Sequence, residues 1–343
     1  MHAEGRQREP AAGLDGSSVI VHSRPAKNRA MTARKRAGLT AALALAIAGG
    51  CGTSAAAREA RISRPVYGST LSVSITPEVH AGAINSLVFR GVEYVDNFDH
   101  GRQIQTALQV DNLGECFNPT EAGSNADGAK QSTSSVLLSV STAGNVLRTV
   151  TRPAFWLSPA EPYRKACSRF RSERHAQNRT VLSDYKIART TRFYGAAIPN
   201  LLVVDVSVTM PERRKSAVVE ALTGYLPPHF SAFFSYDPTT RRLQRLRAGP
   251  EEQQVRTSVI VATRDGRNAM GVYSPAIANG SSEQDFYAYY YFPGGGATAK
   301  WSCRFGESDI RPGTTLSYSC PIAVGTLQEV TAAIDAYART TRS

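Results

Sequence analysis

The sequence predicts an all-β protein, one large antiparallel sandwich followed by one short C-terminal helix. Segments in which apolar and polar residues alternate recur roughly a dozen times from Val66 onward. Turn residues separate them, with 27 Gly and 18 Pro in 343 residues. Helical periodicity is nearly absent before the C-terminus.

The strands read in order as 71–75, 84–89, 135–141, 146–152, 186–193, 201–210 and 217–223. Then follow 259–263, 269–273, 286–292, 299–305 and 315–322. In the 201–210 segment, Leu202, Val204, Val206 and Val208 form one face, with Val203, Asp205 and Ser207 on the other. The helix is announced by Thr326-Leu327-Gln328-Glu329, a capping box with Thr326 as N-cap and Glu329 at N3. Ala332, Ala333 and Ala336 carry it to about Tyr337. Hydrophobic residues at 42% and charged residues at 20% suit a sizeable core. They exclude a disordered tail protein, a collagen and a polytopic membrane protein.

Ahead of this domain lies an address. Residues 1–30 are polar, and Met31 reads as the true start. Arg34, Lys35 and Arg36 precede an apolar run from Ala37 to Ala48, the grammar of a secretory signal, too short to span a bilayer. Ala48-Gly49-Gly50-Cys51 resembles a bacterial lipobox, so 31–50 is read as a lipoprotein signal peptide and Cys51 as the lipidated residue. The alternative is an ordinary signal peptide cut near Ala55-Ala56-Ala57. Residues 51–64 form the anchor and tether, and 65–343 the domain. The expected location is the bacterial envelope, lipid-anchored, facing the periplasm or the cell surface. Removing residues 1–50 lowers the net charge from +12 to +7, compatible with an acidic polysaccharide and too diffuse for a nucleic-acid groove.

Four further cysteines fit an oxidising compartment. A hairpin centred between Arg311 and Pro312 sets Cys303 opposite Cys320, close enough for a disulfide, and elimination pairs Cys116 with Cys167.

Phosphate loops, the His-Glu-x-x-His zinc motif and the Gly-x-Ser-x-Gly elbow are all absent, and Gly294-Gly295-Gly296 reads as a loop. With only His80, His100, His175 and His229 in the mature chain, zinc is not expected, while a cation held by carboxylates stays open; no cofactor is expected. The polar stretch from Asp96 to Gln105, with Gly114 to Gly123 after it, is the leading candidate site. Asp99, His100, Glu115 and Glu121 are its candidate catalytic groups, and Arg102, Gln103 and Asn118 its candidate sugar ligands. The bland alternative is turn chemistry, with Asp and Asn side chains capping backbone. Strand alternation sets Tyr287, Tyr289 and Tyr291 on one face, as a sugar platform or as core. Glu283 stands just before that strand, and Tyr225 and His229 lie on a Gly/Pro loop, where His229 is either a site residue or a loop residue.

Gly82-Ala83-Ile84-Asn85-Ser86-Leu87 leading to Gly91-Val92-Glu93-Tyr94 resembles the opening hairpin of galactose-mutarotase-like proteins. Arg311-Pro312-Gly313 followed by Val324-Gly325-Thr326 looks like the end of such domains. The resemblance implies a β-supersandwich with a carbohydrate cleft across one sheet. That superfamily includes epimerases, domains of polysaccharide lyases and glycosidases, and noncatalytic sugar-binding domains. The aldose-epimerase Asn-His-x-Tyr-Trp context has no counterpart here, and Glu283 matches that family's catalytic glutamate by position alone. The leading expectation is a lipoprotein that cleaves a polysaccharide, as a glycoside hydrolase or a lyase. The alternatives are a noncatalytic glycan-binding lipoprotein, a sugar epimerase and an envelope structural protein. The expected partner is a poly- or oligosaccharide, with membrane contact through the anchor only and no nucleic acid.

Overall fold

The computed structural model describes residues 59–168, 170–280 and 282–341. The expected signal peptide and the expected lipidation site at Cys51 lie outside them. Two large antiparallel sheets face each other across a continuous apolar core, as the alternating pattern requires. The ten-stranded sheet runs from Arg242–Leu246 at one edge to Val136–Ala143 at the other. The seven-stranded sheet is ordered Gln253–Val255, Phe286–Phe292, Thr298–Ile310, Arg214–Leu226, Gln105–Val110, Pro119–Thr120, Ala154–Phe155. A four-stranded N-terminal sheet, Ala60–Val66 to Val92–Glu93, adds Ile62, Leu71, Val73 and Phe89 to the same core. The first described strand begins at Ala60, so the segment 60–64 read as tether is strand, with Ile62 buried.

Along Leu201–Thr209, Leu202, Val204, Val206 and Val208 enter the main core as the alternation demands. Leu201 and Val203 turn to the opposite face, where they meet the helix Leu327–Thr341 through Val330, Ala333, Ile334, Tyr337 and Ala338. Those five positions form one stripe at helical spacing. The helix outruns its expected end by about a turn, to Thr341. Both capping-box bonds are present, Glu329 N–H to Thr326 Oγ1 at 3.1 Å and Thr326 N–H to Glu329 Oε2 at 2.8 Å. Thr326→Ala removes one of them and is expected to cost about 1 kcal/mol, read as a lower urea midpoint with an unchanged slope.

Both expected disulfides are formed, Cys116–Cys167 and Cys303–Cys320. The geometry of the second differs from the hairpin reading. Thr298–Ile310 pairs with strands of the seven-stranded sheet, whereas Thr315–Ser319 pairs with Leu201–Thr209 in the ten-stranded sheet. Cys303–Cys320 thus joins the two sheets through the core. The segment read as one strand at 315–322 is two, Thr315–Ser319 and Ile322–Gly325, parted at Pro321, which has no N–H for a ladder.

Strands absent from the sequence reading include Gln105–Val110 and Phe230–Asp237. In the latter a bulge between Phe230 and Ala232 breaks the alternation, so that Phe230 and Phe233 face the main core while Ala232 and Tyr236 face the helix side.

Candidate functional site

The seven-stranded sheet turns one face to the core and carries polar and charged groups on the other. A bulge sets this up. In Arg214–Leu226 the register shifts between Glu220 and Leu222. Before it Ala217 and Val219 face the core, and after it Leu222 and Leu226 do. Glu220 and Tyr225, an odd number of residues apart, therefore share the open face, which strict alternation forbids. Gly224 faces inward against the Trp301 ring, where a Cβ would lie 2.6 Å from an indole carbon. Across the ladder Glu220 sits opposite Arg304, Tyr225 opposite Lys300, and Lys300 opposite Tyr290.

These side chains form one ionic network. Glu220 meets Arg304 at 2.5 Å and Lys300 at 3.3 Å. Arg304 also binds Glu252 at 2.7 Å, and the Tyr290 hydroxyl donates to Glu252 at 2.5 Å. The Lys300 ammonium stands 5.1 Å from the Tyr225 ring centre and 5.3 Å from that of Tyr290. Glu220 and Arg304 are 3% and 5% exposed, so their charges persist only through pairing. Burial alone would raise the Glu220 carboxyl, but Arg304 and Lys300 hold it below the usual range. Lys300 and Arg304 are in turn held protonated against burial, chiefly by Glu220.

Glu115 completes the group from another element. It lies on the 3-10 turn Gly114–Phe117, which folds back after Gln105–Val110. Its N–H donates to the Cys167 carbonyl at 3.1 Å, and the Cys116–Cys167 disulfide fixes the turn to the same loop. Gly114 has φ +53°, and a Cβ there would fall 1.8 Å from the Cys167 oxygen, so no other residue fits. The Asn118 amide donates to Glu115 Oε2 at 3.0 Å. Burial pushes the Glu115 carboxyl up, and Asn118 and Lys300 offset this only in part. Two carboxyls that feel each other's charge are thus driven apart, Glu115 upward and Glu220 downward. The Tyr225 phenol is raised by burial and the Tyr290 phenol likewise, so neither is a ready base. Trp156, half-buried, stands beside this group, its backbone N–H donating to the Asn118 carbonyl at 2.8 Å and its ring packed on Gly101.

Of the residues singled out in the sequence, Glu115, Asn118 and Tyr225 meet here. Others have structural work. Glu121 is fully buried in an ion pair with Arg189 and accepts the Thr106 N–H at 3.1 Å. His100 is 1% exposed, with its ring nitrogens 2.7 Å from the carbonyl oxygens of Gly128 and Val79. Both contacts are hydrogen bonds together only when the ring carries two N–H groups. Gln103 is buried and donates to Asn97 and to the Asp99 carbonyl. Arg102 is bound by Asp96 at 3.1 Å and Asp99 at 3.3 Å and donates to the Gly296 carbonyl, tying the glycine loop to this stretch. Asp99 and His100 also line a pocket of about 160 Å³ beside His80, whose imidazole burial lowers to about 4.

Tyr287 is core, its hydroxyl accepting the Ser274 N–H, and Tyr289 packs on Phe233. The face of that strand turned to the charged network carries Tyr290 instead. His229 is exposed on a turn against Phe230, and Glu283 is exposed on a loop held through its carbonyl by Arg256. The groups missed, Glu220, Lys300, Arg304, Glu252 and Tyr290, carried one signal. Lys300 and Arg304 lie four apart within one strand, hence on one face.

If the disulfide fixes Glu115, the paired replacement Cys116→Ala with Cys167→Ala should lower any activity of this face more than it lowers the unfolding midpoint. Unchanged activity at equal stability would separate the disulfide from the site.

No family model matches the chain, and no curated protein matches it. Among solved structures, a heparan sulfate lyase mutant from Pedobacter heparinus superposes on 79% of this chain and 35% of its own, at 7% identity and a TM-score of 0.41. A 4-alpha-glucanotransferase from Thermococcus litoralis covers 79% and 38%, at 8% identity and 0.43. A putative mutarotase from Salmonella typhimurium covers 77% and 93%, at 9% and 0.36. The chain spans little more than a third of the length of the first two.

Proposed function

We propose that the open face of the seven-stranded sheet binds a polysaccharide and hydrolyses it, with Glu115 donating the proton to the leaving oxygen. The observation that carries this reading is the opposed displacement of Glu115 and Glu220 within one charged network. One carboxyl raised by burial and a second held low by neighbouring cations make the kind of pairing that glycoside hydrolysis uses. Trp156 and Tyr225 supply ring faces for sugar stacking, and Asn118 orients Glu115. Hydrolysis is favoured over lyase chemistry because burial raises the phenols of Tyr225 and Tyr290 and both His100 nitrogens are engaged, so none of these three is a ready base for a proton α to a uronate.

One observation favours a noncatalytic rival. Glu220 is 3% exposed and already binds two cations, a structural pairing that would leave a glycan-binding face without a nucleophile. Reducing-end release from neutral and acidic polysaccharides, followed together with the absorbance of unsaturated uronates, decides between them. Reducing ends alone support the hydrolase. A rise in both signals establishes a lyase, and silence with measurable binding establishes the binding protein. Export and lipidation at Cys51 belong to the same proposal and rest on residues 31–51. The mass of the mature N-terminus tests them.

A further inference from the structure

From Ala154–Phe155, the edge strand of the seven-stranded sheet, the chain runs out into an arm and returns at Val181, whose carbonyl accepts the Phe155 N–H at 2.8 Å. Within the arm Pro162 pairs with His175 in antiparallel fashion. The Tyr163 N–H donates to the Arg174 carbonyl at 2.6 Å, and the Cys167 N–H to the Glu173 carbonyl at 2.9 Å. The arm is seated on the turn that carries Glu115. The Gln177 N–H donates to the Cys116 carbonyl at 2.7 Å, beside the Cys116–Cys167 disulfide. The Tyr163 phenol is raised by burial and then by the charge of Glu115, so the arm stands within electrostatic reach of that carboxyl.

The arm is strongly basic. Residues 161–179 hold six Lys and Arg against two Glu. Arg189, Arg214 and Arg304 of the sheets are met by Glu121, Asp111 and Glu220. On the arm Arg171 is met by Glu173 at 3.2 Å. Arg164, Lys165, Arg174 and Arg179 are exposed, and among the described residues no ion pair or side-chain hydrogen bond holds them. The backbone bonds of the arm make no use of these four charges, which repel one another.

The open face differs from its margin. In its network Glu220 and Glu252 balance Lys300 and Arg304. The floor of the site is therefore close to neutral, suited to sugar rings and hydroxyls, while the margin at Ala154–Phe155 is cationic. A polymer lying across the strands from Thr298–Ile310 toward that edge meets the floor and then the arm.

We propose that the arm is the anion-binding margin of this face, and that the polysaccharide bound there is acidic, its carboxylates or sulfates resting on Arg164, Lys165, Arg174 and Arg179. Guanidinium forks match both anions. The inference rests on the reading of the open face as a polysaccharide site and names its substrate class. Titration calorimetry at low salt tests it on the full chain carrying Glu115→Gln, so that the proposed cleavage does not disturb the heats. The probes are dextran, polygalacturonate, dextran sulfate and oligothymidylate.

The two anionic glycans are expected to bind at least about tenfold more tightly than dextran. That preference should be lost at high salt and in the combined variant Arg164→Ser, Lys165→Ser, Arg174→Ser, Arg179→Ser, with the urea midpoint nearly unchanged. The pair Arg174→Ser, Arg179→Ser should show part of the loss. Arg164→Lys, Arg174→Lys and Arg179→Lys together should keep the preference, because the charge stays. So should Arg242→Ser with Arg264→Ser, exposed cations in and just past strands of the other sheet. The tighter of the two anionic glycans tells carboxylate from sulfate, and either supports the proposal. Equal binding of dextran, or a preference that survives the four serine substitutions, overturns it. Oligothymidylate bound as tightly as the glycans overturns the sugar assignment. Arm-dependent binding with no reducing ends released by the parent keeps the arm and removes the hydrolysis. Release from dextran alone keeps the hydrolysis and removes the acidic substrate.

Discussion

Glu115→Gln is expected to cut reducing-end release at least about a hundredfold while leaving the unfolding midpoint nearly unchanged, because an amide keeps the shape and removes the transferable proton. The Asn118 amide donates to Glu115 Oε2, and a glutamine oxygen can still accept that bond. The pH profile gives a second readout. Burial raises the Glu115 carboxyl, so its proton is retained above the ordinary carboxylate range, and activity should fall only as the pH rises through that raised value. Arg304 and Lys300 lower Glu220 against its burial, so the acid limb should lie below the ordinary range. The plateau between the limbs is therefore wider than two unperturbed carboxyls would give. In Glu115→Gln the alkaline limb should vanish from the residual rate. Full activity in this variant, or an alkaline limb that survives it, would remove Glu115 from the chemistry.

The all-β architecture was legible because period-2 burial is written directly into segments such as Lys186–Phe193 and Val146–Arg152, whose limits match the sequence reading. Sheet assignment was not legible. Cys303 and Cys320 were paired correctly for a wrong reason, because nothing local says that the chain leaves one sheet at Ile310 and enters the other at Thr315. The site was half legible. Glu115, Asn118 and Tyr225 lie on loops or strand ends whose composition marks them. Glu220, Lys300 and Arg304 sit in mid-strand, and a bulge that only pairing reveals puts Glu220 and Tyr225 on one face. The tyrosine run shows the converse error. Alternation separates Tyr287 and Tyr289 from Tyr290 but does not say which set meets the core.

Glu121→Gln, six residues from Glu115 and chemically the same change, is expected to act on stability, lowering it by about 3–5 kcal/mol. Glu121 and Arg189 are 0% and 3% exposed, and each offsets the other's buried charge. Arg189 also donates to the carbonyls of Gly82 and Ile104, so it cannot swing to solvent without breaking those bonds. Gly82 is pressed close, since a Cβ there would lie 2.8 Å from Glu121 Oε1 and 2.3 Å from Thr151 Oγ1. The amide keeps the shape but leaves a guanidinium in the core without a counter-charge, and the cost is the desolvation that the carboxylate had offset. The double replacement Glu121→Leu with Arg189→Met removes both charges together and should cost markedly less than the sum of the single changes. Urea midpoints of the four proteins measure the coupling. Additive losses would mean that the pair contributes no interaction of its own. A Glu121→Gln protein with parental stability and no activity would return Glu121 to the site and displace Glu115 from its role.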